Sequence, residues 1–229
     1  MPGRDRFHQG GLSARQQGLH VARRRMVREQ LERRGVRDPR VLSVIGKVPR
    51  HLFVEEGLWD QAYSDRPLTI GEGQTISQPF IVGYMTAQLR LTGTERVLEI
   101  GTGCGYQTAV LCSLAREVYS IERIATLSHR ARRVLYDLGL VNFSLRIGDG
   151  TVGWPEAAPF DAIIVTAGGP EIPQAFLAQL ADGGRLVIPV GSTEAQTLLR
   201  VTRKGAQFTQ DTLTDCRFVK LVGAYGWRS

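Results

Sequence analysis

Three acids and one glycine turn carry the chemistry that this sequence offers. Glu99 lies two residues ahead of Gly101-Thr102-Gly103-Cys104-Gly105. Glu122 follows the next apolar run, and Asp149 sits inside Gly148-Asp149-Gly150. Upstream, Leu68 to Pro79 reads L-T-I-G-E-G-Q-T-I-S-Q-P, a polar stretch holding the hydroxyls of Thr75 and Ser77. The four histidines, His8, His20, His51 and His129, all lie outside these segments, so the pattern offers no histidine base. Cys104 has no partnered histidine and reads as a small residue in a crowded turn, not as a nucleophile.

Glycine lacks a Cβ, so a glycine turn lets backbone N–H groups come close to a polar ligand. Dinucleotide sheets use G-x-G-x-x-G/A, and Tyr106 occupies the sixth place here, which argues against NAD or FAD. A carboxylate at Glu99 would repel a pyrophosphate but attract an ammonium group. Glu122 stands where nucleotide-binding sheets accept ribose hydroxyls, and Asp149 is placed to accept from an adenine amino group. An ammonium, a ribose and an adenine without phosphate together describe S-adenosylmethionine. No C-x-x-C pair or other metal spacing occurs, so no metal is expected.

The elements that must hold these residues alternate regularly from Arg96 onward. Strands are predicted at Val97–Ile100, Glu117–Ile121, Leu145–Ile147, Phe160–Val165 and Arg185–Val190. Helices are predicted near Tyr106–Ala115, Ile124–Leu138 and Pro173–Leu180, with a turn at Asp182-Gly183-Gly184. Phe160–Val165 is almost wholly apolar, as befits a strand covered on both faces. This order argues for a doubly wound parallel sheet with right-handed crossovers, which would bring the three acids to one carboxyl edge. Beyond Gly191, strand candidates Thr197–Val201, Gln207–Leu213 and Phe218–Val222 have no helices between them and suit an antiparallel edge. Ahead of the sheet, Val21–Arg34 reads as a basic amphipathic helix ended by Gly35, and Asp38-Pro39 caps and opens another. Pro79 opens a helix through Leu89, and spacing alone makes Thr75 or Ser77 its cap.

The charge is unevenly placed. Residues 1–50 carry 13 Lys/Arg and four Asp/Glu, against 16 and 18 in the remainder, so the formal +7 belongs to the N-terminal segment. No aromatics interleave with these arginines as stacking platforms, so nucleic acid is not an expected partner. No apolar run approaches membrane-spanning length, and no secretory segment opens the chain. Three scattered cysteines, Cys104, Cys112 and Cys216, suit a reducing, cytoplasmic setting. Gly168-Gly169-Pro170 lacks the Asn/Asp-Pro-Pro-aromatic motif of adenine amino methyltransferases, and no Pro-Cys pair serves attack on cytosine.

V-P-R-H-L-F-V (Val48 to Val54), Asp65, G-Q-T-I-S-Q-P (Gly73 to Pro79), V-L-E-I-G-T-G-C-G-Y-Q-T (Val97 to Thr108), G-D-G and P-F-D-A-I-I-V-T-A (Pro159 to Ala167) occur in this order. This pattern resembles the protein-L-isoaspartate O-methyltransferases over Val21 to Gly223. The resemblance implies an α/β fold: a Rossmann-like S-adenosylmethionine-dependent methyltransferase sheet, mostly parallel, with an antiparallel C-terminal edge in the family's altered strand arrangement, plus N-terminal helices. Composition rich in Gly, Arg, Gln and Ser with little periodicity makes 1–20, beyond the matching region, a flexible basic tail, and the resemblance implies one methyltransferase domain over 21–229. Within that domain, 21–92 form a helical cap and substrate loop, 93–191 the cofactor-binding core and 192–229 the C-terminal strands.

The implied reaction methylates the α-carboxylate of L-isoaspartyl residues in damaged proteins and peptides. By the same resemblance Ser77 is the active-site serine, which overrides the capping expectation. Glu99, Gly101, Thr102, Gly103 and Gly105 line the methionine end of the cofactor, Glu122 holds ribose, and Asp149 with Gly150 meets adenine. A carboxylate acceptor is already ionised near pH 7 and needs no base, so Thr75 and Ser77 are left to orient it by hydrogen bonds. Lys220, in R-F-V-K-L-V-G (Arg217 to Gly223), stands where the bacterial pattern usually has proline. The enzyme is expected to be a monomer. Methylation of RNA or a small molecule, and non-catalytic cofactor binding, are the competing readings; neither requires Ser77 and its loop.

Overall fold

The computed structural model describes residues 14–228. Helix α1 (Ala14–Met26) runs into a π-helical turn (Val27–Leu31) and a 3-10 turn (Glu32–Arg34). Gly35, at φ 95°, ends the run in the left-handed region that glycine tolerates. The helix begins ahead of the expected boundary at Val21. Leu19 is buried, Arg15 pairs with Glu56, and its guanidinium lies 4.8 Å from the Trp59 ring, so residues from Ala14 are anchored. The rest of the expected tail, residues 1–13, lies outside the described residues. Helix α2 (Pro39–Lys47) starts as its sequence dictates, with the Asp38 carboxylate accepting from the N–H groups of Arg40 at 2.9 Å and Val41 at 3.2 Å.

The stretch read as a loop is a hairpin. Strands β1 (Leu68–Gly71) and β2 (Gln74–Ile76) pair antiparallel around Glu72-Gly73. Both turn residues have positive φ, 54° and 68°, the geometry of a two-residue turn that matches strand twist. Leu68, Ile70 and Ile76 point inward and Thr69 and Thr75 outward, a period of two. Helix α3 (Pro79–Gln88) follows, and its first turn is not capped by Ser77. Asp65 accepts from the N–H of Phe80 at 3.3 Å instead.

The main sheet comprises β3 (Arg96–Ile100), β4 (Glu117–Glu122), β5 (Phe143–Ile147), β6 (Phe160–Val165), β7 (Leu180–Gly191), β8 (Gln196–Lys204) and β9 (Gln207–Cys216). Their spatial order is β5-β4-β3-β6-β7-β8-β9. The first five pair in parallel, whereas β8 and β9 fold back antiparallel. Helices α4 (Tyr106–Cys112), α5 (Ala125–Asp137) and α6 (Gln174–Gln179) make the crossovers. The expected turn at Asp182-Gly183-Gly184 is absorbed within β7, where pairing jumps from Phe160↔Leu180 to Ala162↔Arg185 and Gly183 takes φ 74°. Phe218–Val222 is not a strand. Its backbone bonds go to the loop after β6, as the N–H of Gly168 donates to Val219 at 2.8 Å and that of Leu221 to Gly168 at 2.9 Å.

The central strands are apolar on both faces because both are covered. Val97, Ile164 and Val187 face the N-terminal helices, α3 and α4, while Leu98, Ile163 and Leu186 pack with Phe160 and Phe176 on the other side. Leu31, Val41 and Ile45 of the N-terminal helices share the first of these cores. The strand order reverses direction between β3 and β6, and ligands of open α/β sheets bind at such a switch point, outside the strands' carboxyl ends.

Candidate active site

A cavity of about 390 Å³ opens at that switch point. Its floor is the glycine turn, its sides are the ends of β4 and β6, and the β1–β2 hairpin covers it. Gly101, Gly103 and Gly105 all have positive φ, at 94°, 55° and 90°. An added Cβ on Gly101 would stand 2.4 Å from the Thr166 hydroxyl oxygen, and one on Gly150 would stand 2.6 Å from Ile100. Side chains at either position would fill the cradle. The Ile70 side chain comes down from the hairpin to within 3.4 Å of where a Cβ on Gly103 would lie. The hairpin tip is tied to the start of α5, where the Thr126 hydroxyl donates to Glu72 at 2.9 Å.

Gly101, Thr102, Gly103, Glu122 and Gly150 lie in the cavity wall, whereas Gly105, Glu99 and Asp149 do not. Glu122 is buried, and its two oxygens accept from the N–H groups of Gly103 at 2.8 Å and Ile124 at 2.9 Å. It therefore fixes the turn from the strand next door. Gly105 lies behind the turn, where a Cβ would stand 3.1 Å from that of Ala131.

Glu99 is held differently from the expectation. Alternation along β3 sends its side chain to the α4 side, where one oxygen accepts from Thr108 and Ser120, each at 2.6 Å. Burial pushes its pKa up to about 8, with these two hydrogen bonds opposing, so it is largely protonated at neutral pH. It braces the turn from behind and does not line the cavity. Thr102 joins this brace through a 2.6 Å hydrogen bond with Ser120.

Asp149 is committed to the chain's C-terminal segment. One oxygen accepts from the Thr151 N–H at 2.8 Å and hydroxyl at 2.6 Å, the other from the Ala224 N–H at 2.7 Å. Burial pushes its pKa up, but the bonds from Ala224 and Thr151 outweigh that and leave it below the ordinary carboxylate range.

A second cavity, of about 650 Å³, adjoins the first. Thr75, Ser77, Thr166, Phe218, Val219 and Lys220 line both. The hydroxyls of Thr75 and Ser77 make no protein hydrogen bond among the described residues, so both are available at the junction. Ile70, Met85, Ile124 and Thr166 also line the first cavity and were not singled out from sequence. Thr166 had a usable signal, since it directly follows the apolar strand next to the glycine turn. The apolar three had none, because a residue lining a cavity and one buried in the core follow the same pattern. Among the described residues no group of three His, Cys, Asp or Glu is placed to hold a metal ion, and no helix is long and apolar enough to cross a membrane.

Comparison with known proteins agrees with this geometry. The profile of the protein-L-isoaspartate(D-aspartate) O-methyltransferase family (PCMT) matches residues 22–226. The protein-L-isoaspartate O-methyltransferase of Trichlorobacter lovleyi is 60% identical over 210 residues, covering 91% of this chain and 96% of the relative. That of Syntrophotalea carbinolica is 59% identical over 208 residues, covering 90% and 96%. Among solved structures, a protein-L-isoaspartate O-methyltransferase superposes with a TM-score of 0.80 at 29% identity, covering 89% of this chain and 67% of that one. A Plasmodium falciparum structure described as the same enzyme, in complex with S-adenosyl-L-homocysteine, gives 0.76 at 26% identity, covering 87% and 98%. With a family match across nearly its whole described length, a superposition that covers 89% of it and a glycine-floored cavity at the switch point, this chain belongs to the protein-L-isoaspartate(D-aspartate) O-methyltransferase family.

Proposed function

We infer that this chain is a repair enzyme that moves a methyl group from S-adenosylmethionine to the α-carboxylate of L-isoaspartyl residues in damaged proteins and peptides. The observation that carries this reading is the junction, where two free hydroxyls stand between a cofactor-sized cavity and a second groove. The first cavity fits the cofactor. Its volume is in the range of small-molecule sites, and its floor is left open by glycines whose Cβ atoms would fill it.

Gly101, Thr102 and Gly103 would hold the methionine end, Glu122 the ribose, and Gly150 the adenine side. Glu99 and Gly105 act through the turn. Asp149 keeps lone pairs for an adenine amino group while it holds Ala224 in place. When bound, S-adenosylmethionine supplies an electrophilic methyl group. The acceptor carboxylate needs no deprotonation at neutral pH. What the protein's own residues contribute is orientation and removal of water. Ser77 and Thr75 donate hydrogen bonds to the acceptor and aim one oxygen toward the first cavity. Apolar Ile70, Ile76 and Val82 on the hairpin side keep that space dry.

We propose a monomer as the working unit, which light scattering at assay concentration would test. The N-terminal helices share the core of the main sheet, which supports one domain over 21–229. Cys104, Cys112 and Cys216 are free thiols, in keeping with a reducing, cytoplasmic setting. Neither a membrane nor nucleic acid is assigned a role.

The test is transfer of labelled methyl to an isoaspartyl peptide, with the matching aspartyl peptide and bulk RNA as controls. Labelling of the isoaspartyl peptide alone is expected; equal labelling of both peptides, or of RNA only, would sink the reading. Ser77→Ala is expected to lower kcat by about ten- to a hundredfold, the loss of a hydrogen bond to a charged group, with cofactor affinity nearly intact. Unchanged turnover would remove Ser77 from the role.

A further inference from the structure

The second groove carries more cations than acids. Arg34, Arg217 and Lys220 line it against a single acid, Asp215. Arg34 is already engaged, paired with Asp65 and stacked 3.6 Å above the Phe80 ring. Arg217 and Lys220 are exposed and form no ion pair or side-chain hydrogen bond among the described residues. This charge is local, because the chain beyond residue 50 has more acids than bases.

The backbone under Lys220 is fixed. The residues on either side are hydrogen-bonded to Gly168, and the Trp227 indole donates to the same Gly168 carbonyl at 3.0 Å. The N–H of Lys220 itself donates to no backbone carbonyl among the described residues. A proline, the usual residue of the family's bacterial pattern here, would therefore sacrifice no backbone bond. What the lysine adds is a positive charge on a rigid ledge shared by both cavities.

An isoaspartyl residue brings one carboxylate to the junction, where Thr75 and Ser77 meet it. Two further cations along the groove, Arg217 and Lys220, face the single acid Asp215 and are ion-paired with neither it nor any other acid among the described residues. Resting on the acceptor reading given above, we propose that Lys220, aided by Arg217, is a specificity-determining residue that selects isoaspartyl segments carrying an additional acidic side chain next to the damaged residue.

The test uses two labelled isoaspartyl peptides that differ only by Glu or Gln beside the isoaspartyl residue. Binding is read by fluorescence anisotropy with S-adenosylhomocysteine present, and kcat/KM in parallel. The wild-type chain is expected to favour the Glu peptide by about two- to fivefold at low salt, the range of one or two exposed charge pairs. That ratio should fall toward one in roughly 0.5 M salt. Lys220→Gln should lower it, and Lys220→Glu should reverse it. Because each variant is scored by the ratio between two peptides, partial loss of folded protein cancels. A wild-type ratio at or below one would overturn the proposal. So would Lys220 variants that weaken both peptides equally, which would place Lys220 on the accepting carboxylate instead. A binding preference without methylation of either peptide would overturn the proposed reaction while leaving this charge selection standing.

Discussion

Replacing Gly101 with alanine probes the cradle directly. Gly101 has φ 94°, a region that costs an L-residue roughly 1–2 kcal/mol. The new Cβ would also stand 2.4 Å from the Thr166 hydroxyl oxygen. That hydroxyl bridges the carbonyls of Ile100 at 3.0 Å and Gly101 at 2.7 Å, so expelling it forfeits about 1 kcal/mol of hydrogen bonding. Gly101→Ala should thus destabilise the protein by about 2–3 kcal/mol. For a chain of this length that lowers Tm by about 4–12 °C. Thr166→Ala alone should cost about 1 kcal/mol. It also removes the obstacle, since the next nearest Thr166 atom lies at an ordinary 3.7 Å. In that background Gly101→Ala retains only its backbone strain. The double variant should therefore be more stable than additivity predicts, by about 1 kcal/mol. Urea denaturation of the four proteins followed by circular dichroism reads the cycle. Strict additivity would refute the steric account, and a Gly101→Ala protein that melts like the wild type would refute the strain as well.

Glu122→Ala removes the acceptor of both the Gly103 and Ile124 N–H groups together with the cavity's one buried acid, and should weaken cofactor binding about ten- to a hundredfold; unchanged affinity by calorimetry would take Glu122 out of the site. Glu99 has a folded pKa raised from 4.5 to about 8, so the unfolded chain releases its proton over a range in which the folded one keeps it. Its contribution to stability falls as pH rises from about 4.5 to about 8 and is level above that. Glu99→Gln cannot ionise and should lack that slope; parallel wild-type and variant curves of unfolding free energy against pH would contradict the buried, protonated state. Asp149 has the opposite sign, since its folded pKa is depressed below 3.8, so its contribution is present above that value and lost as pH falls through the folded pKa. Asp149→Asn should flatten this acid limb and speed amide exchange at Ala224; slow exchange there in the variant would show that the segment is held by other means.

The parallel half of the fold was legible because short, largely apolar runs alternate with helical periods, most clearly at Phe160–Val165. Val97–Ile100 and Phe160–Val165 are buried on both faces, their apolar runs interrupted only by Glu99 and Asp161. The hairpin was missed because Gly71, Glu72 and Gly73 break the run into three- and four-residue pieces, too short for a period-two pattern to stand out. Its tell was the two-residue Glu-Gly turn between Ile70 and Ile76. Helix α1 was placed too late, since the polar, glycine-containing stretch Ala14–His20 shows no apolar period, and Leu19 is buried by tertiary packing. At the site, position along the strands locates the acids, while the hydrogen bonds each makes depend on side-chain direction. Glu99 and Asp149 occupy the expected places, and their protein partners lie in the core and the C-terminal segment, which side-chain direction decides and the sequence pattern does not. Ser77 as a cap was the reasonable local choice. Asp65, fifteen residues away, takes that bond, and nothing local in the sequence signals it.

The wall that the two cavities hold in common has a thermodynamic corollary. A ligand in either cavity that restricts Ser77, Thr166 or Lys220 restricts them for the other as well. Part of the ordering entropy is then spent once for two binding events. Linkage makes the effect symmetric: whatever factor a peptide lends to nucleoside affinity, the nucleoside must return to the peptide. Titrations of one ligand at several fixed concentrations of the other would measure that factor from both directions, and the two values must agree.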